Sequence, residues 1–540
     1  MRSTSFCGIV IIAVTLFCGS ALADDWPQWG GDEHRNMISQ EKNLPESFAP
    51  GKKKTDGSGV DLRTTKNVKW TAQLGSTTFG NPTVAGGKVF VGTNDFNLGD
   101  SRYRETKGGS IRCFDEATGK LLWQQIIPQY VTSDPNMNFD DGAYGVCSSP
   151  TVDGDKLYVV SNRAEVLCLS VNGMAGGNRG PFLDEAQYTA GPGNPPIAQG
   201  PTDGDIVWRF DMFKELNVWP QDAASCSVLV HGDVIYTSTA NGVDRSHDRL
   251  PNPKCPALVA LDKHSGRLIG RESEGIGSRL YHGQWSSPSA GEVNGKTLIF
   301  FGGGDGVCYA FEALAEIPAQ PAPLKKVWSF DCNPPEYKFR EGKPIPYRDG
   351  DIRCHRGGNK GDGTWVGPND IIATPVFYKN RIYVATGQDP LHGHAKGLLV
   401  CIDATKTGDI SQTGAIWTYD RLDRSLSSVS IADGLVYLAD LGGDLHCLDA
   451  ETGVRYWVHH AKAETWGSTL VADGKVYLGT HRDFWILAAG KELKVLSQTR
   501  LGAPTCTTPV AANGVVFITS HHNLWALQSQ RVLSLKTDAK

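Results

Sequence analysis

Short apolar runs alternate with polar residues along this chain and break at glycine turns at regular intervals. SSPTVDGDKLYVV (148–160), SSVSIADGLVYLA (427–439), GSTLVADGKVYLG (467–479) and TTPVAANGVVFIT (507–519) share one form. Each has an alternating apolar run, a small turn centred on Gly, and a second run with an aromatic residue near its end. That pattern predicts a β-hairpin. Related stretches at 81–91, 226–237, 286–301 and 373–385 bring the number of units to eight.

A second half follows most hairpins: a third short strand, a turn, and a fourth strand carrying Trp. The clearest copies are IRCFDEATGKLLW (111–123), LVCIDATKTGDISQTGAIW (399–417) and LHCLDAETGVRYW (445–457), whereas LVALDKHSGRLIG (258–270) lacks the Trp. Ser430 and Leu470 stand at one repeat position and are 40 residues apart, the length of a four-stranded blade. The prediction is an all-β, eight-bladed β-propeller of four-stranded antiparallel blades, with seven or nine blades as the alternatives. The last unit ends at LWALQ (524–528) without a fourth strand, and an unpartnered copy, NVKWTAQL (67–74), precedes the first hairpin. Closure by that N-terminal strand would leave no open edge.

The repeat also interprets residues that look chemical in isolation. Cys113, Cys168, Cys401 and Cys447 fall at one position, which Ala260, Ala310 and Ala526 occupy in other units. A position that takes Cys or Ala is a small packing site. Asp115, Asp262, Asp403 and Asp449 open the following turn, where a carboxylate can accept backbone N–H groups. Trp70, Trp123, Trp208, Trp328, Trp417 and Trp457 are expected to dock neighbouring blades. His446 alone stands outside the pattern.

Composition narrows the class. With 540 residues and a net charge of −5, and with no basic run, the chain shows no electrostatic grip for nucleic acid. Arg2, the apolar run 9–17 and Ala21-Leu22-Ala23 read as a signal peptide over 1–23, cleaved after Ala23. Export to the periplasm or extracellular space follows, with no transmembrane helix in the mature chain. An N-terminal extension (24–66), the propeller (67–530) and a C-terminal tail (531–540) complete the organisation. Two of the 13 cysteines leave with the leader, so an odd number remains and disulfides are not an obvious framework. Within the long insertion 329–371, a Cys332–Cys354 bridge would restrain a polar, Pro-rich loop.

The Asp-x-x-Thr-Gly-x-x-x-Trp stretch, Asp449 to Trp457 and again Asp115 to Trp123, resembles the tryptophan-docking repeat of PQQ-type quinoprotein propellers. The resemblance spans roughly residues 67–528. DWPQWGGDEHRN (25–36) is similar to the start of exported PQQ-like propeller proteins. The same repeat builds the propeller lipoprotein of the outer-membrane protein assembly machine, which carries no quinone. This sequence has no Cys-Cys dipeptide, no Asn-Pro-x-Pro-Trp-Asn-type segment and no Cys-x-x-Cys-His, all features of the quinone- or haem-bearing branches. No cofactor is therefore assigned, and no metal. The reading is a non-catalytic binding or assembly module for a protein, glycan or small molecule. The alternative is a quinoprotein dehydrogenase of alcohols or sugars using PQQ with calcium.

Propeller topology puts the long segments 93–108, 124–146, 240–256, 329–371 and 386–397 on one face, with 171–205 and 313–325 on the other. Loops held by a rigid scaffold carry binding groups, so the first face is the expected functional one. Tyr144, Trp285 and Trp466, just ahead of innermost strands, and Arg163, Asp305, His481, Arg482, His521 and His522, in short turns, are the candidates for a pocket at its axis. Aromatic walls and charge-assisted hydrogen bonds would suit a planar or anionic ligand.

Overall fold

A computed structural model describes residues 24–56, 59–344, 346, 348–349, 352–353, 369–387 and 396–529. The leader 1–23, the tail 531–540 and Cys354 lie outside the described residues. Eight antiparallel sheets form the ring. Blade 6 shows the unit: Ser430–Ala432, Leu435–Ala439, Asp444–Asp449 and Arg455–His460, paired in chain order from the axis outward. Blade 8 holds Val510–Ala512, Val515–Thr519 and Asn523–Leu527, and its outer strand is Val68–Gln73 from the other end of the chain. Trp70 pairs with Ala526 there, so the N-terminal strand closes the ring as the sequence predicts.

The repeated Cys-or-Ala position has a geometric cause. In blade 6, Tyr437, Cys447 and Trp457 stand side by side across three strands. The two rings approach to 6.0 Å between centroids, over the small residue between them. Phe90 and Trp123 do the same over Cys113 at 6.0 Å, and Tyr383 and Trp417 over Cys401 at 5.8 Å. In blade 8, Phe517 and Trp70 meet over Ala526 at 5.9 Å. Nothing larger than a thiol fits beneath such a pair. Burial accordingly pushes the Cys447 thiol up to about 12, far from thiolate chemistry.

Each outer-strand Trp also reaches into the next blade. The indole N–H of Trp70 donates to Glu116 O at 2.8 Å, Trp123 to Val171 O at 3.1 Å, and Trp208 to Lys263 O at 3.1 Å. Trp328 donates to Ala404 O at 3.2 Å, Trp417 to Ala450 O at 3.1 Å, and Trp457 to Gly490 O at 2.9 Å. The acceptors lie at the turn after the third strand. There, Asp449 Oδ1 accepts the backbone N–H groups of Glu451 and Thr452, both at 3.0 Å. Gly453 follows at φ +72°, and a Cβ on it would stand 2.7 Å from the Trp417 ring. The Thr-Gly of the repeat is thus a turn that lies flat under the neighbouring blade's indole.

A second set of links runs around the axis. The N–H of Ser149 donates to Ser227 Oγ and that of Ser227 to Ser287 Oγ, both at 2.9 Å. Thr374 N donates to Ser428 Oγ at 2.9 Å, Ser428 N to Ser468 Oγ and Ser468 N to Thr508 Oγ1, both at 2.8 Å. Thr508 N then meets Asn81 Oδ1 at 2.5 Å, and Asn81 N reaches Ser149 Oγ at 3.3 Å. Seven of the eight blade junctions share this bond. At the remaining one, Ser286 Oγ donates to Ala373 O at 2.8 Å.

The N-terminal extension is built into this ring. Trp26 forms a bridge with Val84 of blade 1, and Pro27 O accepts Val152 N of blade 2. The buried Arg35 donates to Val228 O of blade 3 at 2.9 Å and to Pro288 O, ahead of blade 4, at 3.0 Å. His34 O accepts Phe377 N of blade 5, Asn36 Nδ2 donates to Ile431 O of blade 6, and Met37 O accepts Val471 N of blade 7. Ser39 Oγ completes the circuit on Ala511 O of blade 8 at 3.0 Å. Through these bonds one segment touches the innermost strand of six blades and, at Val228 and Pro288, the residue just before that of the other two, and it occupies the axis.

Replacing Cys447 by Leu should overfill the gap between Tyr437 and Trp457 and cost about 1–3 kcal/mol in urea unfolding. Cys447→Ala should cost less than about 1 kcal/mol, because three units already carry Ala at that position. Equal losses for the two variants would refute this account of the repeat position.

Candidate functional site

The residue two positions before each member of the hydroxyl belt faces the axis. Blades 1 to 4 contribute Phe79, Cys147, Ser225 and Trp285. Ile372, Leu426, Trp466 and Cys506 come from blades 5 to 8. Together with the belt they wall a cavity of about 240 Å³ on the side of the blade-to-blade connections, and Trp29 of the extension lies against it. The Trp29 indole N–H is held by Thr374 Oγ1 at 3.0 Å.

Aromatic contacts organise the wall. Phe79 stacks on Trp466 at 5.6 Å and packs edge-on against Tyr144 at 5.9 Å and His521 at 5.5 Å. Across the cavity, Trp285 donates its indole N–H to Ala223 O at 3.0 Å and abuts His282 at 5.0 Å.

Of the sequence candidates, Tyr144, Trp285 and Trp466 line this cavity. His481 and His521 adjoin it through Cys506, whose Sγ lies 3.4 Å from His481 Nε2 and 3.9 Å from His521 Nε2. The other four turn elsewhere. Arg163 lies over the Tyr188 ring, Asp305 accepts from Arg279 and Tyr309, and Arg482 pairs with Asp483 at 2.8 Å. His522 belongs to a separate recess with Lys53 and Gln73. The expected cationic contribution to the pocket is thus absent from its described lining. Sequence reading missed Phe79, Cys147 and Cys506, which share one repeat column with Trp285 and Trp466, and it missed the belt two positions later. Cys332 is buried, and its proposed partner Cys354 lies outside the described residues.

His446 is buried between Tyr419 OH, 3.1 Å from Nδ1, and Asp440 Oδ2, 3.2 Å from Nε2. Asp440, Asp444 and His446 bring potential ligand atoms within 4.8 Å of one another. Their lone pairs are used within the blade: Asp440 accepts the backbone N–H groups of Asp423 and Asp444, and Asp444 pairs with His460 at 2.7 Å. The cluster is a turn anchor.

Burial lowers His521 from its ordinary 6.5 to about 4. Between those values the unfolded chain takes up a proton that the folded ring refuses, so stability falls as pH drops, by up to about 1.4 kcal/mol per unit. His481, also lowered by burial, acts in the same direction. Urea unfolding at pH 7 and pH 4.5 should show a smaller acid loss for His521→Asn than for the parent chain. An equal loss would place the acid sensitivity elsewhere.

Among curated proteins, none matches the sequence significantly. The family described as outer membrane protein assembly factor BamB matches residues 107–175, 355–458 and 395–500. The solved structure of BamB from Moraxella catarrhalis is similar at 13% identity and TM-score 0.48, covering 85% of this chain and 97% of that one. The quinohemoprotein alcohol dehydrogenase from Comamonas testosteroni is similar at 14% identity and TM-score 0.45, over 93% and 80% of the two chains. The alcohol dehydrogenase ADHIIG from Pseudomonas putida HK5 is similar at 13% identity and TM-score 0.47, over 86% and 76%. The described residues form an eight-bladed β-propeller closed by an N-terminal strand, and three stretches of the chain match the BamB family's repeat.

Proposed function

We propose that the protein is an exported binding module that takes a small, uncharged ligand with an aromatic or apolar face into the axial cavity. The observation that carries this reading is the composition of the wall. Trp285, Trp466, Phe79 and Tyr144 supply apolar faces, and the hydroxyl belt supplies short hydrogen-bonding groups already fixed by the ring. Such a site needs little reorganisation to bind. An aromatic side chain presented by a partner protein would meet the same surface.

A quinoprotein dehydrogenase reading requires that the site fit PQQ, a planar tricarboxylate, and the calcium ion that accompanies it. Among the described residues lining the cavity, Asp222 is the only carboxylate, and its Oδ1 already accepts Asn138 Nδ2 at 2.6 Å. No described lining residue is Lys or Arg, so nothing pairs with three carboxylates. Calcium takes six to eight oxygen ligands, which this wall of rings, thiols and engaged hydroxyls does not supply. The donor set does not fit that group.

Export is proposed from the signal-peptide pattern of residues 1–23. Asp24 N donates to Glu41 Oε1 at 3.1 Å, so cleavage before Asp24 would set a new ammonium group beside a carboxylate. Asn513 Nδ2 and Gly86 N hold Asp25 at 2.9 Å each. No helix among the described residues is long and apolar enough to cross a membrane.

Tryptophan fluorescence titrated with 2-naphthol should quench saturably, and Trp285→Ala should weaken the affinity about tenfold, equivalent to about 1.4 kcal/mol. Arg482→Ala should leave it unchanged. Unsaturable quenching, or equal effects of the two variants, would defeat the cavity reading. Intact-mass analysis of protein secreted from the full-length gene should begin at Asp24; retention of residues 1–23 would remove the export claim.

A further inference from the structure

Cys506 is the one thiol in the cavity wall with imidazoles on both sides, and the hydrogen bonds around those rings assign them different roles. His521 Nδ1 accepts Thr78 N–H at 3.3 Å, which leaves the ring proton on Nε2, facing Cys506 Sγ. That tautomer excludes His521 Nε2 as a metal ligand and makes it a donor toward sulfur. His481 is oriented the other way. Its Nδ1 lies 3.4 Å from Glu464 Oε2, which holds the proton on that nitrogen and leaves the Nε2 lone pair 3.4 Å from Cys506 Sγ. Glu464 Oε2 is itself fixed by the Trp466 indole N–H at 3.3 Å. Backbone bonds set the same frame: His481 N donates to Glu464 O, and His521 N to Pro504 O.

We infer that Cys506 is a nucleophile for acyl transfer, with His481 as its base, Glu464 as the residue that positions the base, and His521 as a hydrogen-bond donor that orients the sulfur. The arrangement is the thiol–imidazole–carboxylate order that nucleophilic catalysis requires. Burial holds the thiol protonated at rest and both imidazoles neutral. The proton must therefore move as the bond forms. In that step the S–H proton passes to His481 Nε2 while the sulfur lone pair makes the S–C bond to an ester carbonyl carbon. The carbonyl π pair moves onto oxygen and returns as the bond to the alcohol oxygen breaks. The departing alkoxide takes the proton from His481. A thioester on Cys506 and a free alcohol result, with no oxidant or metal consumed. Phe79, Trp466 and Tyr144 beside the sulfur select small aromatic esters.

This inference rests on the cavity reading, and its test separates the two. The mature protein is treated with p-nitrophenyl acetate while p-nitrophenolate release is followed, and acetylated peptides are mapped by mass. One acetyl group is expected on Cys506. His481→Ala should slow acetylation about 100-fold. Cys506→Ala and Cys506→Ser should abolish the thioester, whereas Arg482→Ala, outside the cavity, should leave acetylation unchanged. Glu464→Gln should slow the reaction without lowering the melting temperature, and Glu464→Asp should recover part of the rate. Acetylation that is absent, or spread over lysines and other cysteines, or indifferent to His481→Ala, would overturn the nucleophile. Retained 2-naphthol binding in that case would leave the cavity reading standing, and its loss in the parent protein would remove both.

Discussion

The architecture hangs on one hydrogen bond made again and again: the backbone N–H entering an innermost strand, given to a hydroxyl or amide oxygen of the next blade. A propeller has little apolar area near its axis, because the innermost strands are short and converge. Each buried backbone group there must find a partner or carry a penalty of about 1–3 kcal/mol. The Ser, Thr and Asn belt meets that requirement between blades rather than within them, so satisfying the backbone and joining the ring are the same act. The outer rim is joined differently, by indoles lying on glycine turns. Where the docking Trp is missing, other chain fills the space. Leu314 and Leu324 pack beside Gly270 in blade 3, and Leu44 and Phe48 of the extension cover the blade 7–8 side.

The candidate site is a by-product of the belt. Fixing one residue of every repeat at the axis also fixes the residue two before it, and that side chain has nowhere to go but the central space. Eight such residues make a wall whose chemistry varies from blade to blade, because the belt bond is made by the residue two positions on. The set observed is five bulky apolar or aromatic residues with Ser225, Cys147 and Cys506.

This also explains what the sequence could and could not disclose. The eight units and the closing strand were legible because packing enforces them throughout, and the small Cys-or-Ala position because it recurs in seven blades; blade 7, which lacks the outer Trp, has Ile486 there. The turn Asp residues were legible for the same reason. The pocket was legible only in part. Trp285 and Trp466 stand out as large residues, while Cys506 and Phe79 become visible only when the column two residues before the Ser/Thr is read down all eight repeats. Arg163, Asp305, Arg482 and His522 were drawn from the right turns, yet a turn of three residues can aim a side chain at the axis, at its own blade or outward. Periodicity does not specify that direction; local partners such as Asp483 and Tyr309 do. The extension carried no repeat and thus no prediction of where it would lie.

The path of that extension makes the chain's beginning depend on its end. Asp25 and Asn513 are bonded across 488 residues, and Asn36 reaches Ile431 across 395. Contacts of such sequence separation form late and slowly. The contacts of Trp26 and Pro27 with blades 1 and 2 need only early chain, whereas the bonds of Asp25 to Asn513 and of Ser39 to Ala511 wait until blade 8 has been made. The finished ring is locked by the first residues made, so opening it from a blade edge requires withdrawing a segment tied to every other blade. Resistance to proteolysis should accordingly rest on the slowness of unfolding as much as on equilibrium stability.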